Sequence, residues 1–291
     1  WAIMVSLAEL WRSLGVTPDA VIGHSQGEIA AAYVAGALSL EDAAKVVALR
    51  SRLLVQLSGA GGMASVAVSP QRAQELLAAW TGRLNIAAVN GVSSIVVSGE
   101  VDAVTELVNQ CDAENVRARR IDVDYASHSF QIDAIRDDLI AAIKDVVPRS
   151  SSVAFYSTVT GELLDTAALD ADYWYRNIRE TVEFEHAVRA ARGAGHQVFI
   201  EASPHPALIA GIEETLGAEQ AVIIPSLGRN DGGLQRLWLS AAQAQVAGVV
   251  VDWSTVFEGA RRVPLPTYGF VRRRYWLTES GDREVHRFGL V

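Results

Sequence analysis

Apolar residues recur at helical spacing from the start of the chain: Ile3, Leu7, Leu10, Trp11 and Leu14 share one face of a helix over residues 1–14, and Gly15 ends it. After Pro18 a short apolar run, Ala20-Val21-Ile22, leads into Gly23-His24-Ser25-Gln26-Gly27. The alanine-rich stretch from Glu28 to Gly36 predicts a helix, so strand, glycine turn and helix follow one another directly. A further helix from Leu40 to Leu57 runs into the loop Gly59-Ala60-Gly61-Gly62.

Beyond that loop the period changes. Met63 to Val68 predicts a strand and Pro70 to Trp80 a helix. Leu84 to Val89 and Ser94 to Val97 predict two strands joined at Asn90-Gly91, a dipeptide that favours hairpin turns. Glu100 to Asp112 predicts a helix and Val116 to Val123 a closing strand. The order β-α-β-β-α-β is the ferredoxin-like arrangement, here inserted between helices of a larger α/β body. A helix (Phe130 to Val146), a strand (Val153 to Ser157), a helix (Phe184 to Gly193), a strand (Gln197 to Glu201) and further helices complete the pattern. Val263-Pro264-Leu265-Pro266-Thr267-Tyr268 and Arg272-Arg273-Arg274-Tyr275-Trp276 then suggest an extended linker packing on a neighbouring surface, an ordinary terminal strand being the alternative.

Composition narrows the class. The chain has 291 residues, half of them apolar and a fifth charged, enough to bury a sizeable core. Its single cysteine, Cys111, cannot make an internal disulfide, and His and Cys are too few and scattered to suggest a metal site, which fits a cytoplasmic setting. A formal charge of −9 argues against nucleic-acid binding, and no apolar run is long enough to span a membrane. Lys45 and Lys144 are the only lysines among many arginines, a coding bias without chemical meaning. The chain opens inside a helical pattern without an initiator methionine and reads as a piece of a longer polypeptide.

Gly23-His24-Ser25-Gln26-Gly27 fits G-x-S-x-G, and the strand before it and helix after it give that pattern meaning. The turn would lift the Ser25 hydroxyl clear of the sheet and set the Gln26 N–H where charge develops on an attacked carbonyl oxygen. A serine nucleophile needs a base. Of six histidines, His24 adjoins the serine and suits a structural role, His186 and His196 fall on or beside a surface helix, and His286 lies in the tail. His128, where the chain re-enters the main body, and His205, between two prolines, remain as candidates. Arg50 sits in an apolar stretch of helix, where an arginine binds a carboxylate of a ligand or of the protein itself.

At Gly23-His-Ser-Gln-Gly-Glu-Ile-Ala-Ala-Ala and Tyr125-Ala-Ser-His the chain resembles acyltransferase domains of modular type I polyketide synthases, from its first residue to about Leu277. The resemblance implies an α/β-hydrolase-like body with an inserted ferredoxin-like subdomain. It implies Ser25 as the acylated nucleophile, His128 as its base and Arg50 as the clamp on the carboxylate of a malonyl-type group. Asn177, in Tyr173-Trp-Tyr-Arg-Asn, matches the position whose backbone carbonyl orients the histidine, so no aspartate is needed. Tyr125, Ala126 and Ser127, with Gln26, match the pattern that accompanies methylmalonyl selection; Ser127 is small and leaves room for an α-methyl. Acyl-CoA would be the substrate and an acyl carrier protein, through its phosphopantetheine thiol, the acceptor. No cofactor would be bound.

The resemblance further implies that a strand and a Gly-Gln-Gly loop, carrying a second oxyanion donor, lie upstream of Trp1. The tail would run toward a ketosynthase domain of the same polypeptide, and dimerisation would come through neighbouring domains. The expected divisions are 1–61 and 125–257 for the large subdomain, 62–124 for the small one and 258–291 for the linker. Rival readings are a malonyl-selective transferase of polyketide or fatty acid synthesis, a serine hydrolase or thioesterase with an acid on a loop facing His128, and a non-catalytic docking module.

Overall fold

In the computed structural model, residues 1–217, 221–261, 263–267 and 269 are described. The elements in chain order are α1 (Ala2–Ser13), β1 (Ala20–Ile22), α2 (Gly27–Ala35), α3 (Leu40–Leu54), β2 (Gly62–Val66), α4 (Pro70–Leu77), β3 (Leu84–Gly91), β4 (Ser94–Gly99), α5 (Val101–Ala113) and β5 (Ala118–Ile121). They continue with α6 (Arg136–Ile143), β6 (Ala154–Tyr156), β7 (Leu163–Leu164), α7 (Ala171–Arg179), α8 (Phe184–Gly193), β8 (Val198–Glu201), α9 (Ile209–Leu216), β9 (Val222–Pro225) and α10 (Leu234–Val246).

Two separate cores define two subdomains. In the inserted one, β2 to β5 form an antiparallel sheet of order β3-β4-β2-β5. Alternating strand residues such as Ala64, Val66, Ile95 and Val97 face the apolar sides of α4 and α5. This is the expected ferredoxin-like arrangement. The larger α/β body packs Ile29 of α2, Val46 of α3, Leu139 of α6 and Trp174 of α7 into one cluster over Phe155 of β6. The seam between the subdomains is apolar as well, with Ala88 of β3 against Val182, Phe184 and Ile212.

The structure departs from the sequence pattern in three places. The β3–β4 hairpin forms, but Asn90 and Gly91 belong to β3 and the turn falls at Val92-Ser93. Tertiary contacts claim the dipeptide: Asn90 Oδ1 accepts from His24 Nε2 at 2.7 Å, and a Cβ on Gly91 would lie 2.5 Å from Glu214 Oε2. On α1, Ile3 and Leu10 are exposed while Val5, Leu7, Trp11 and Leu14 are buried, so the buried face is rotated from the expected one. The single helix expected from Phe130 begins as a 3-10 turn over Phe130–Ile135 before α6.

In the body, β1 pairs in parallel with β6, and β8 pairs in parallel with β9, as two separate sheets. Each of β1 and β8 keeps one edge without a strand partner among the described residues, and both line the same cleft of about 920 Å³. Parallel strands are ordinarily covered on both faces, yet β1 is half-buried along its whole length. The compact unit ends at Trp253. Beyond it, residues 254–261, 263–267 and 269 form turns and irregular chain, while 262, 268 and 270–291, with most of the proposed linker, lie outside the described residues. Among the described residues no helix is long and apolar enough to cross a membrane.

Candidate active site

Ser25 sits between β1 and α2 with φ of 54°, a left-handed conformation that costs an L-residue roughly 1–2 kcal/mol. The neighbouring packing holds it there. A Cβ on Gly23 would stand 2.2 Å from the Glu28 nitrogen and 2.3 Å from its Cα, so the chain can fold this tightly only with glycine at that position. The second glycine of the motif is different, since a Cβ on Gly27 meets nothing within 4 Å. The N–H groups of Gly27 and Glu28 bond back to His24 O and Ser25 O. Gln26 is the N-cap of α2, and no acceptor for its N–H is found among the described residues, which leaves it able to donate at the helix start.

The inserted subdomain delivers the histidine. Past β5 the chain turns through Tyr125-Ala126-Ser127 and places His128 Nε2 2.8 Å from Ser25 Oγ. His128 also has a left-handed backbone, φ 57°. Its N–H donates to Ile178 O at 2.8 Å and its carbonyl accepts from Ser98 Oγ of β4 at 3.3 Å, so both subdomains grip it. The ring's Nδ1 lies 2.7 Å from Glu180 O. A carbonyl can only accept, so Nδ1 carries the hydrogen and Nε2 is free to take the serine's proton. Burial, and then the charge of Arg50, hold this imidazole down at about 3, keeping it in the neutral form a base requires.

The carbonyl is Glu180's, which corrects the expectation for Asn177. One helical turn earlier on α7, Asn177 presents its side chain instead: Nδ2 donates to Ser25 O at 3.1 Å and to Glu28 Oε2 at 2.7 Å, and Oδ1 accepts from Arg50 Nη1 at 2.5 Å. Arg50, on α3 and 5% exposed, also donates from Nη2 to Ser25 Oγ at 3.2 Å. Burial lowers it to about 10, still cationic at neutral pH.

Around the serine, Gln26, Arg50, Tyr125 and Ser127 line the cleft. Ser127 Oγ lies 3.5 Å from Met63 Sδ of β2. Ala126 does not line it: it is fully buried against Gly61, where a Cβ would come within 2.6 Å of both its nitrogen and its Cβ. His205 and His186 are exposed, and His24 is tied to Asn90 with its ring edge-on to Phe184. Among the described residues no cluster of His, Cys, Asp and Glu could hold a metal ion.

Two participants escaped the sequence reading. Glu28, directly after the motif, is a fully buried acid; a glutamate opening an otherwise apolar run, Ile29-Ala30-Ala31-Ala32, was the available signal. Glu180 contributes only a carbonyl, for which any residue would serve.

A nucleophile on a strained elbow, a carbonyl-oriented histidine and a buried cation at the same oxygen define an acyl-transfer site on a two-subdomain α/β fold. The family model for the acyl transferase domain matches residues 1–251, and the chain belongs to that family. It is 59% identical to mycoketide-CoA synthase of Mycobacterium tuberculosis over the whole of this chain and 7% of that protein, and 55% identical to the polyketide synthase GfsB of Streptomyces halstedii over the whole chain and 5% of that protein. The acyltransferase domain from module 8 of the salinomycin polyketide synthase superposes with a TM-score of 0.85 at 54% identity, over 88% of this chain and 61% of that one. The chain is thus an acyltransferase domain of the polyketide synthase type, spanning a small part of the curated relatives it matches.

Proposed function

We propose that this domain takes an extender acyl group, methylmalonyl, from CoA and passes it through an ester on Ser25 to the phosphopantetheine thiol of an acyl carrier protein. The observation that carries the reading is the convergence on one oxygen: His128 Nε2 at 2.8 Å and Arg50 Nη2 at 3.2 Å from Ser25 Oγ. The first can remove the hydroxyl proton; the second stands where the free carboxylate of a serine-bound malonyl group would reach.

In the first half-reaction Ser25 Oγ attacks the thioester carbon as its proton passes to His128 Nε2. The C–S bond then breaks and the imidazolium returns the proton to the CoA sulfur. In the second, the carrier's thiol gives its proton to His128 and attacks the ester, and the Oγ–C bond breaks with return of the proton to Ser25. The Gln26 N–H faces the oxyanion in both, a contribution of about 10²–10³ in rate for one such donor. Acyl-CoA and phosphopantetheine arrive as substrates, and the steps need no resident cofactor.

Ser127 on the cleft wall supports methylmalonyl over malonyl, since its small side chain leaves room for the α-methyl. The margin is about 1–3 kcal/mol for one methyl group, so some malonyl enters. The hydrolase reading is disfavoured because Glu180 O occupies Nδ1, and among the described residues no carboxylate side chain bonds to His128. We read the unpaired edges of β1 and β8 as the place of a strand from chain outside these residues, which would join the two sheets and bring the second oxyanion donor. The neighbouring ketosynthase and the carrier protein belong to the same proposal.

Intact-mass measurement after incubation with methylmalonyl-, malonyl- and propionyl-CoA in competition tests it, on the domain with and without an N-terminal extension. The expected result is a methylmalonyl adduct on Ser25, faster with the extension. No adduct on the extended form, or one dominated by propionyl, would sink the reading.

A further inference from the structure

Glu28 takes part in no step above, yet it is entirely buried three residues beyond the nucleophile. Three donors aim at its two oxygens, Thr158 N–H at Oε1 and Tyr173 OH and Asn177 Nδ2 at Oε2, while the Thr158 hydroxyl, whose one proton is shared with Gly23 O, lies 3.0 Å from Oε1. A carboxyl group so placed is needed as an acceptor on both oxygens. Burial nevertheless lifts it to about 7 against those bonds.

The polarity of this network reaches the acyl site. An amide has one accepting and one donating end. Because Glu28 accepts, Asn177 must turn its Nδ2 toward it, and so must present Oδ1 to Arg50 Nη1. Arg50 is buried and meets a neutral amide and a hydroxyl; after the Tyr125 phenol, the group that acts most on its charge is the carboxylate of Glu28, one side chain further away. A direct Arg–Glu pair would occupy the guanidinium and compete with an incoming carboxylate. A countercharge held behind an amide stabilises the buried cation while leaving it able to bind another anion.

We propose that Glu28 is a positioning residue and the built-in counter-anion of Arg50: through Asn177 it aims the guanidinium over Ser25 and thereby sets the preference for acyl groups that carry a carboxylate. This rests on the reading of Arg50 as the carboxylate clamp. Replacement by glutamine changes one acceptor into a donor that faces Asn177 Nδ2. The amide relieves this by turning over, which sets its NH2 against the NH2 of Arg50.

The test is run on the full polypeptide that carries this domain at about pH 8, where a carboxyl group near 7 is mainly ionised, measuring kcat/KM of acyl-Ser25 formation from methylmalonyl-CoA and from propionyl-CoA. Glu28→Gln should lower the ratio of the two by about tenfold or more, the scale of a lost charge-assisted hydrogen bond, mainly through a raised KM for methylmalonyl-CoA. Glu28→Asp keeps the charge and the accepting oxygens and should retain most of the ratio. A ratio within about twofold of the parent in Glu28→Gln overturns the proposal, as do equal losses for both substrates or a Glu28→Asp variant no better than Glu28→Gln. Failure of both variants to fold, read by circular dichroism, also overturns it, because Glu28 would then serve the core alone. Arg50→Ala in the same assay separates the two claims. If it abolishes the ratio while Glu28→Gln does not, the counter-anion is wrong and the clamp stands; if it leaves the ratio unchanged, the clamp itself falls.

Discussion

Replacing Arg50 by alanine bears most directly on what this site selects. The guanidinium is 5% exposed and reaches both Asn177 Oδ1, at 2.5 Å, and Ser25 Oγ, at 3.2 Å. Losing the bond to Ser25 affects every acyl donor alike and cancels in a ratio of substrates. What does not cancel is the carboxylate of methylmalonyl-CoA, left without its cation. Removing one partner of a buried ion pair costs about 3–5 kcal/mol. Because the acyl group enters from an open cleft, the lower end applies, and at about 1.4 kcal/mol per tenfold this is roughly 10² in kcat/KM. Propionyl-CoA has no carboxylate to strand and no longer leaves a buried cation unpaired, so its loading should fall less or rise. Quench-flow with intact-mass detection of acyl-Ser25, both CoA esters competing in one tube, reads the ratio directly. A ratio changed by less than about threefold, or a parallel loss of both substrates, would refute the assignment.

Ser127→Phe with Tyr125→His should raise the malonyl share in a malonyl/methylmalonyl competition, because the ring would reach into the cleft that Ser127 lines and take the room of an α-methyl; an unchanged extender ratio would count against it. Gly23→Ala should lower the melting temperature by about 5 °C or more, since its methyl meets α2 backbone at 2.2 Å, beyond the usual 1–3 kcal/mol of overpacking. Gly27→Ala, with nothing within 4 Å, should be neutral or slightly stabilising, and equal melting of the two variants would contradict the elbow geometry. Nitrogen-15 NMR of the imidazoles should find His128 neutral at pH 5, burial and Arg50 holding it near 3. Its folded value lies below its unfolded one, so its contribution to stability is complete above about 6.5 and is lost as pH falls from there toward 3. A His128 midpoint between 6 and 7 would show that the ring is not buried as described.

The inserted sheet was legible because apolar and polar positions alternate in strands such as β2, where Ala64 and Val66 are buried and Ser65 is exposed, and because a capping residue opens a helix that covers it. Ser69 caps α4 ahead of Pro70, for instance, and its hydroxyl accepts from Arg72 N–H. The elbow was legible for a related reason: the steric demand at Gly23 and the helix start at Gly27 are local, and local conformation is written in neighbouring residues. The buried face of α1 depends on elements far along the chain, such as Ser226, which accepts the Trp11 indole N–H, and helical period alone does not show that Ile3 and Leu10 stay exposed.

The partners of the site needed three dimensions. Residue types and spacing set Ser25 on its elbow, and the chain's likeness to a family singled out His128 and Arg50. Nothing in sequence order could show that Glu180, rather than Asn177, turns its carbonyl to the imidazole, because backbone groups are chemically alike at every position and only the end of α7 decides which one faces the ring. Nor could it show that Glu28, Asn177, Arg50 and Ser25 form one hydrogen-bonded chain, since these residues come from three helices and a turn. A side chain's type fixes what it can donate or accept; packing alone fixes to whom.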